Sequence, residues 1–309
     1  MKVYRGIVKY MDLLLDEMEA ELLPCNWAYL SRELERCYLK ENKAESAQAH
    51  LYYLSIFLRR FAKRDLRQLS QLEIAEWFRE LDMQGRAETT KQMVRKSVKM
   101  FYRYLLGEGF SAFIRVREVY NEMPSEALLT ELDVMKLISW CECLRDKAML
   151  SVLYDGGLRP FELVNLKVGD VLLEDYPVHL RIAGKSGRRR IIPLTSFSTE
   201  YLFHYLSSAK RFGDGYLFVS RRGGGKLARR SCIRMLLARL NAKAGLGKRV
   251  YPALFRHSRA SHLAKQLNEI QLCNFMGWVP FSRIARNYVH SSVRDLDEAM
   301  LKGLAVARN

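Results

Sequence analysis

The sequence predicts a mainly α-helical protein with a small antiparallel β-sheet, divided into two domains. Three observations carry that prediction. At 309 residues the chain is longer than one typical domain, and 49 % hydrophobic residues are enough for ordinary cores. Apolar residues recur at three- and four-residue steps through much of residues 1–122 and again beyond 128. Between Val178 and Leu194 the period changes to two, the mark of a hairpin.

The first forty residues have balanced charge and are expected to form a helical extension, 1–40, whose role is not legible. A helical domain is expected over 41–122. In Gln48–Phe61 the residues Leu51, Leu54, Phe57, Leu58 and Phe61 mark one apolar face, while Arg59, Arg60, Lys63 and Arg64 continue the other. A second helix is predicted over Leu72–Leu81, because Ser70 followed by Glu73 forms a capping box. A third follows Gly85 and runs through Val94, Val98, Phe101 and Leu105 to Gly107 or Gly109. Its Lys91, Arg95, Lys96, Lys99 and Arg103 make a basic stripe, which read by itself is a solvated face.

Ile114–Ser125 has no clear periodicity and contains Pro124, so it is expected to be the linker to a domain over 128–309. Thr130 caps a new helix, and Arg145–Tyr154 forms another that Gly156-Gly157 closes. Val178–Ile182 and Arg190–Leu194 read as strands whose turn, Gly184–Gly187, carries Lys185. Leu217–Ser220 reads as a short strand before the basic loop Arg221–Lys226, and helices follow to the end.

The formal charge of +17 points to a polyanionic partner. Residues 1–122 hold 21 Lys and Arg against 18 Asp and Glu, a net of +3. Residues 123–309 hold 30 against 16, a net of +14. The excess belongs to the second half, which solubility alone does not require; a basic ribosome-associated protein remains open on charge alone. The six cysteines lack the spacing of a zinc site, and no stretch reaches the roughly 18–20 apolar residues of a membrane span. An intracellular, cytoplasmic protein with reduced thiols and no membrane partner is expected.

Cleaving a phosphodiester with a side-chain nucleophile requires cations for the non-bridging oxygens, a proton for the leaving oxygen, and a nucleophile that forms a reversible ester. Arginine suits the first requirement because its planar fork stays charged. The chain offers Arg159, with Glu162 three positions on, then Lys185, Arg256, Trp278 and, ten residues after the indole, Tyr288. Each has a plainer reading. Arg159 and Lys185 are two of many exposed cations, and Arg188, Arg189 and Arg190 offer alternatives to the lysine. Trp278 would serve equally as a core residue, and Tyr288 is one of 16 tyrosines.

The strings Gly157-Leu-Arg-Pro-Phe-Glu-Leu163, Arg256-His-Ser-Arg-Ala-Ser-His-Leu263, Met276-Gly-Trp278 and Ala285-Arg-Asn-Tyr-Val-His290 together resemble the tyrosine recombinase, or phage integrase, family. The likeness extends to archaeal integrases and Xer-type recombinases. It implies a two-domain clamp on double-stranded DNA, with a helical core-binding domain and a mixed α/β catalytic domain ending in a tail. It also implies that Tyr288 attacks the scissile phosphate to give a 3′-phosphotyrosyl link. Arg159 and Arg256 would hold the phosphate, Glu162 would support Arg159, Lys185 would protonate the leaving 5′-oxygen, and Trp278 would add a donor. The ester conserves the bond energy, so neither a cofactor nor a metal is required. The family's assemblies imply a tetramer joined through the C-terminal tail, where Leu296, Met300, Leu301 and Leu304 form an apolar stripe. Beside these motifs Lys91, Arg95, Lys99, Arg188 and Arg189 read as DNA contacts.

One departure matters. Where the family has His three residues before the second arginine, this chain has Ala253. Either cleavage proceeds without it, or His257 substitutes, or the chain is an inactivated variant. The rival readings are therefore a DNA-binding relative that no longer cuts and a type IB topoisomerase-like enzyme that relaxes DNA.

Overall fold

The structure, a computed structural model, describes residues 9–35, 44–119, 124–174, 176–184, 187, 189–209, 215–220, 230–280 and 288. Lys185, Arg188, the basic loop 221–226 and the tail after Tyr288 lie outside the described residues. The chain divides into two compact units, Met1–Asn121 and Glu122–Asn309.

The first unit is helical: α1 (Lys9–Glu21), α2 (Pro24–Leu34), α3 (Ala44–Arg60), α4 (Gln71–Met83), α5 (Glu88–Leu106) and the short α6 (Glu108–Ser111). Ser70 caps α4 as its sequence predicts, its hydroxyl accepting from the Glu73 amide (3.3 Å) while Glu73 accepts from the Ser70 amide (2.9 Å). Leu14, Leu15 and Met18 of α1 and Leu30 and Leu34 of α2 lie in the same core as α3, α4 and α5, so the described part of residues 1–40 has no core of its own. At the centre Phe57 meets Trp77 edge-on (4.9 Å between ring centres) and Tyr102 (5.9 Å), whose hydroxyl donates to the Leu66 carbonyl. Asn26 ties α2 to the turn after α3, donating to the Arg64 carbonyl and accepting from the Leu66 amide.

The second unit is mainly helical with one three-stranded antiparallel sheet in the order β1-β2-β3. It comprises α7 (Glu131–Ser139), α8 (Leu144–Asp155), α9 (Pro160–Asn165), β1 (Val171–Leu172), β2 (His179–Ala183), β3 (Arg189–Pro193), α10 (Ser196–Ser208), α11 (Arg230–Ala244), α12 (Pro252–Leu263) and α13 (Glu269–Met276). Thr130 caps α7, accepting from the Asp133 amide. Helix α8 is the hub. Ala148 through Asp155 are all buried, so it lacks the polar face of a surface helix. Its last residue, Asp155, accepts from the Thr195 amide (2.6 Å) and hydroxyl (2.9 Å), from Ser198, and from Arg259 (2.6 Å). One carboxylate thus fixes the start of α10 and the middle of α12 against the end of α8.

The predicted strand at Leu217–Ser220 is corrected. The structure has an isolated bridge from Lys167 to Tyr216, beside a Leu217-to-Leu166 backbone bond (2.8 Å), and no strand. Leu217 and Phe218 are apolar because they fill the core, which alternation alone does not distinguish from pairing. Among the described residues no helix is long and apolar enough to cross a membrane.

Because Phe57 is fully buried among three aromatic partners, Phe57→Ala should destabilise the first unit by about 3–5 kcal/mol. Urea titration monitored by tryptophan fluorescence would register this as a lower midpoint. A loss under about 1 kcal/mol would mean that the cluster is not the centre of the core.

Candidate active site

Arg159 stands where α8 turns into α9. The turn uses Gly157 at φ 53°, a left-handed conformation that favours glycine. A Cβ at that position would lie 2.9 Å from the Met276 sulfur, so the close approach of α13 also requires glycine. Pro160 then starts α9, and Glu162 reaches back to accept from the Arg159 amide (2.8 Å).

Glu162 is the centre of the site. Its buried carboxylate accepts from Arg190 through both terminal nitrogens (2.8 and 3.0 Å) and from Arg159 (3.1 Å), with Arg256 at 3.9 Å. Burial would raise its pKa, but the hydrogen bonds and charge of Arg190, the Arg159 amide and Arg256 outweigh this and hold it below the ordinary carboxylate value.

Arg256 is buried near the start of α12. It donates to the carbonyls of Gly157 (2.6 Å) and Met276 (2.5 Å), and its guanidinium lies 5.6 Å from the centre of the Trp278 ring. Burial and then the charge of Arg159 push its pKa down to about 9, with Glu162 opposing, so it stays charged at neutral pH. Arg190 also donates through Nε to the Phe275 carbonyl (2.9 Å). Two arginines therefore satisfy the last carbonyls of α13, where a helix end favours cations. The helix stops at Gly277 in a left-handed cap, and the Trp278 amide returns to the Cys273 carbonyl (2.9 Å). A Cβ at Gly277 would lie 3.0 Å from Arg190.

Tyr288 is stacked on Trp278 (5.1 Å, 19°) and on His257 (6.2 Å, 23°), and its hydroxyl is in hydrogen-bond contact with His257 Nδ1. Burial raises the Tyr288 pKa to about 12, with Arg256 pulling it down and Tyr251 adding to the rise. The His257 pKa is lowered, by burial and then by Arg256.

One open cleft is lined by Arg159, Arg189, Ala253, Arg256, His257, Trp278 and Tyr288. The structure thus brings together the residues singled out in the second unit, apart from Lys185 and Arg188, which lie outside the described residues. Arg159 offers 45 % of its side-chain surface to solvent, whereas Arg256 offers 10 %. Ala253 is exposed on the cleft. Arg190 was noticed in the sequence only as an alternative to Lys185, and its pairing with Glu162 was missed. The available signal was its register: it faces Ile182 across the sheet and shares a face with buried Ile192, a position where a charge needs a partner.

In the first unit the basic stripe divides. Arg95 forms a double hydrogen bond with Asp82 (2.9 and 2.8 Å) over the Phe78 ring, and Lys91 donates to the Asp82 carbonyl (2.7 Å). Both tie α5 to α4. Lys96 is exposed and Lys99 half-buried. Among the described residues no cluster of three or more His, Cys, Asp or Glu is placed to hold a metal.

A model of the phage integrase family matches residues 127–294. A tyrosine recombinase of Pseudothermotoga lettingae is 31 % identical over 211 residues, covering 65 % of this chain and 71 % of that protein. Among solved structures, the XerH site-specific recombinase bound to its palindromic difH substrate superposes with a TM-score of 0.66 at 20 % identity, covering 93 % of this chain and 92 % of that one. A lambda integrase tetramer bound to a Holliday junction gives 0.65 at 17 %, covering 84 % and 76 %.

Glu162→Gln would leave Arg190 and Arg256 buried without a counter-charge and should cost about 3–5 kcal/mol, seen as a lower Tm. Because the folded-state pKa of Glu162 is depressed, the advantage of Glu over Gln should be full at neutral pH and decline as pH falls below about 4. Equal Tm values at pH 7 would refute the central role of this carboxylate.

Proposed function

Since the chain belongs to the phage integrase family, we propose that it is a site-specific DNA recombinase that breaks and rejoins DNA through a 3′-phosphotyrosyl intermediate made by Tyr288. The observation that carries this reading is the single cleft in which Tyr288 lies beside Arg256, Trp278 and Arg159. An entering phosphodiester would meet the exposed fork of Arg159 on one side. On the other it would meet the N–H groups that Arg256 does not spend on Gly157 and Met276. The Trp278 indole is a donor only, suited to a third contact as the phosphorus gains charge. Such donors cost little reorganisation when they are already fixed; Glu162 holds Arg159, and the Gly157 and Met276 carbonyls hold Arg256.

Lys185 is assigned the leaving 5′-oxygen, and Lys99, Arg188 and Arg189 the flanking backbone. Lys91 and Arg95 would contact phosphate only with what their bonds to α4 leave available. The partner is duplex DNA, engaged by more than one protomer, as in the lambda integrase tetramer on a Holliday junction, with the C-terminal tail joining protomers. Neither cofactor nor metal enters the scheme.

Incubation with nicked suicide duplexes, taken from a randomised pool or from the DNA flanking the gene, should give a covalent protein–DNA adduct on denaturing electrophoresis. Tyr288→Phe should abolish the adduct while leaving DNA binding intact. Tight binding without any adduct in the parent protein would replace this reading with that of a DNA-binding relative.

A further inference from the structure

Helix α12 presents positions 253, 256 and 257 to one cleft. Residues four apart on a helix lie one above the other, so Ala253 and His257 occupy the same face, one turn apart. At 253 there is only a methyl group, which neither donates nor accepts a proton. One turn on, the His257 imidazole stacks on Tyr288 and brings Nδ1 to its hydroxyl. The neighbouring cleft residues are poor proton acceptors. Arg159, Arg256 and Trp278 offer donors only, and the Glu162 oxygens are taken by Arg190 and Arg159.

We infer that His257 is the general base for Tyr288. The inference rests on the reading of Tyr288 as nucleophile. In the forward step the Tyr288 oxygen bonds to phosphorus, the bond from phosphorus to the 5′-oxygen breaks, and the phenol proton passes to His257 Nδ1. The 5′-oxygen leaves with a proton from the acid, the role assigned to Lys185, and no electrons are exchanged with a redox partner. On rejoining, a 5′-hydroxyl attacks and gives its proton back to the group that protonated it, the bond from phosphorus to Tyr288 breaks, and His257 returns its proton to the phenol. The step requires the tautomer with its hydrogen on Nε2, so that Nδ1 accepts.

The charged and titratable groups recorded around the ring are Arg256, on its own helix, and Tyr288. Burial and Arg256 keep His257 neutral at pH 7 and ready to accept. A phenol with pKa about 12 does not ionise spontaneously there, so transfer must accompany attack, when bonding to phosphorus makes the proton acidic.

The test is single-turnover adduct formation on a suicide duplex by the full chain, with DNA binding measured in parallel. His257→Ala and His257→Gln should each slow adduct formation by about 10²–10³-fold with binding retained. Added imidazole should restore much of the rate to His257→Ala. So should Ala253→His in the His257→Ala background. The parent rate should fall as pH drops through the depressed His257 pKa, and that limb should vanish in the Gln variant. Glutamine keeps a polar side chain of similar reach but takes no proton, so a Gln variant that cleaves at the parent rate would overturn the inference and leave His257 a packing role. An adduct lost in Tyr288→Phe but unaffected by either His257 substitution would sink this inference alone. Absence of any adduct in the parent would remove the cleavage reading and this one with it.

Discussion

The second unit depends on one buried carboxylate among three arginines. Glu162 draws Arg159 from the turn before its own helix, Arg190 from β3 and Arg256 from α12 into a space where, unpaired, they would repel. Two like charges 4 Å apart repel by roughly 4 kcal/mol at an effective dielectric of 20. A cleft meant for a phosphate nevertheless needs several cations close together. One internal anion resolves the conflict. It neutralises Arg190, which is spent on structure, and fixes Arg159 while leaving it partly exposed. Burial first, and then the charge of Arg159, still hold the pKa of Arg256 down, and a bound phosphate would oppose the second of these.

The same arginines hold the backbone. Arg190 and Arg256 donate to consecutive carbonyls, Phe275 and Met276, at the end of α13, where Gly277 takes the left-handed φ that favours glycine, with Arg190 against it. That helix end delivers Trp278, and Trp278 supports the Tyr288 ring. A change in the arginine cluster therefore propagates by direct contact to the residue assigned as nucleophile. Charge placement and nucleophile placement are a single mechanical problem here, which is why the site resides in the interlock of α9, β3, α12 and α13 rather than in any one loop.

How much of this was legible in the sequence follows from whether the cause is local. The caps at Ser70 and Thr130 were readable because their partners lie three residues away. The hairpin was readable from a period of two. The site strings could be aligned because each is short and continuous in the sequence. Arg190 was not assigned, because its partner Glu162 lies 28 residues away and nothing local says that a strand arginine turns inward. The same limit misread Leu217–Ser220, whose apolar pattern serves the core, and left unread that Lys91 and Arg95 point back to α4. Spacing reports local geometry; which face a cation chooses is decided by the fold.

Charge supplies the last step. Many basic residues of the second unit are engaged internally, among them Arg145 with Asp146, Arg190 with Glu162 and Arg259 with Asp155. That does not weaken the case for a polyanion. Every internal pair removes one charge of each sign, so the +14 of residues 123–309 survives any arrangement of salt bridges within that stretch. Such an excess destabilises a compact unit by self-repulsion unless counter-ions gather or a polyanion displaces them. Displacement releases those counter-ions, which favours binding and makes it fall steeply with salt. The buried carboxylates organise which cations stay inside. The unmatched cations, which no fold of this chain can neutralise, are what a phosphate backbone would meet.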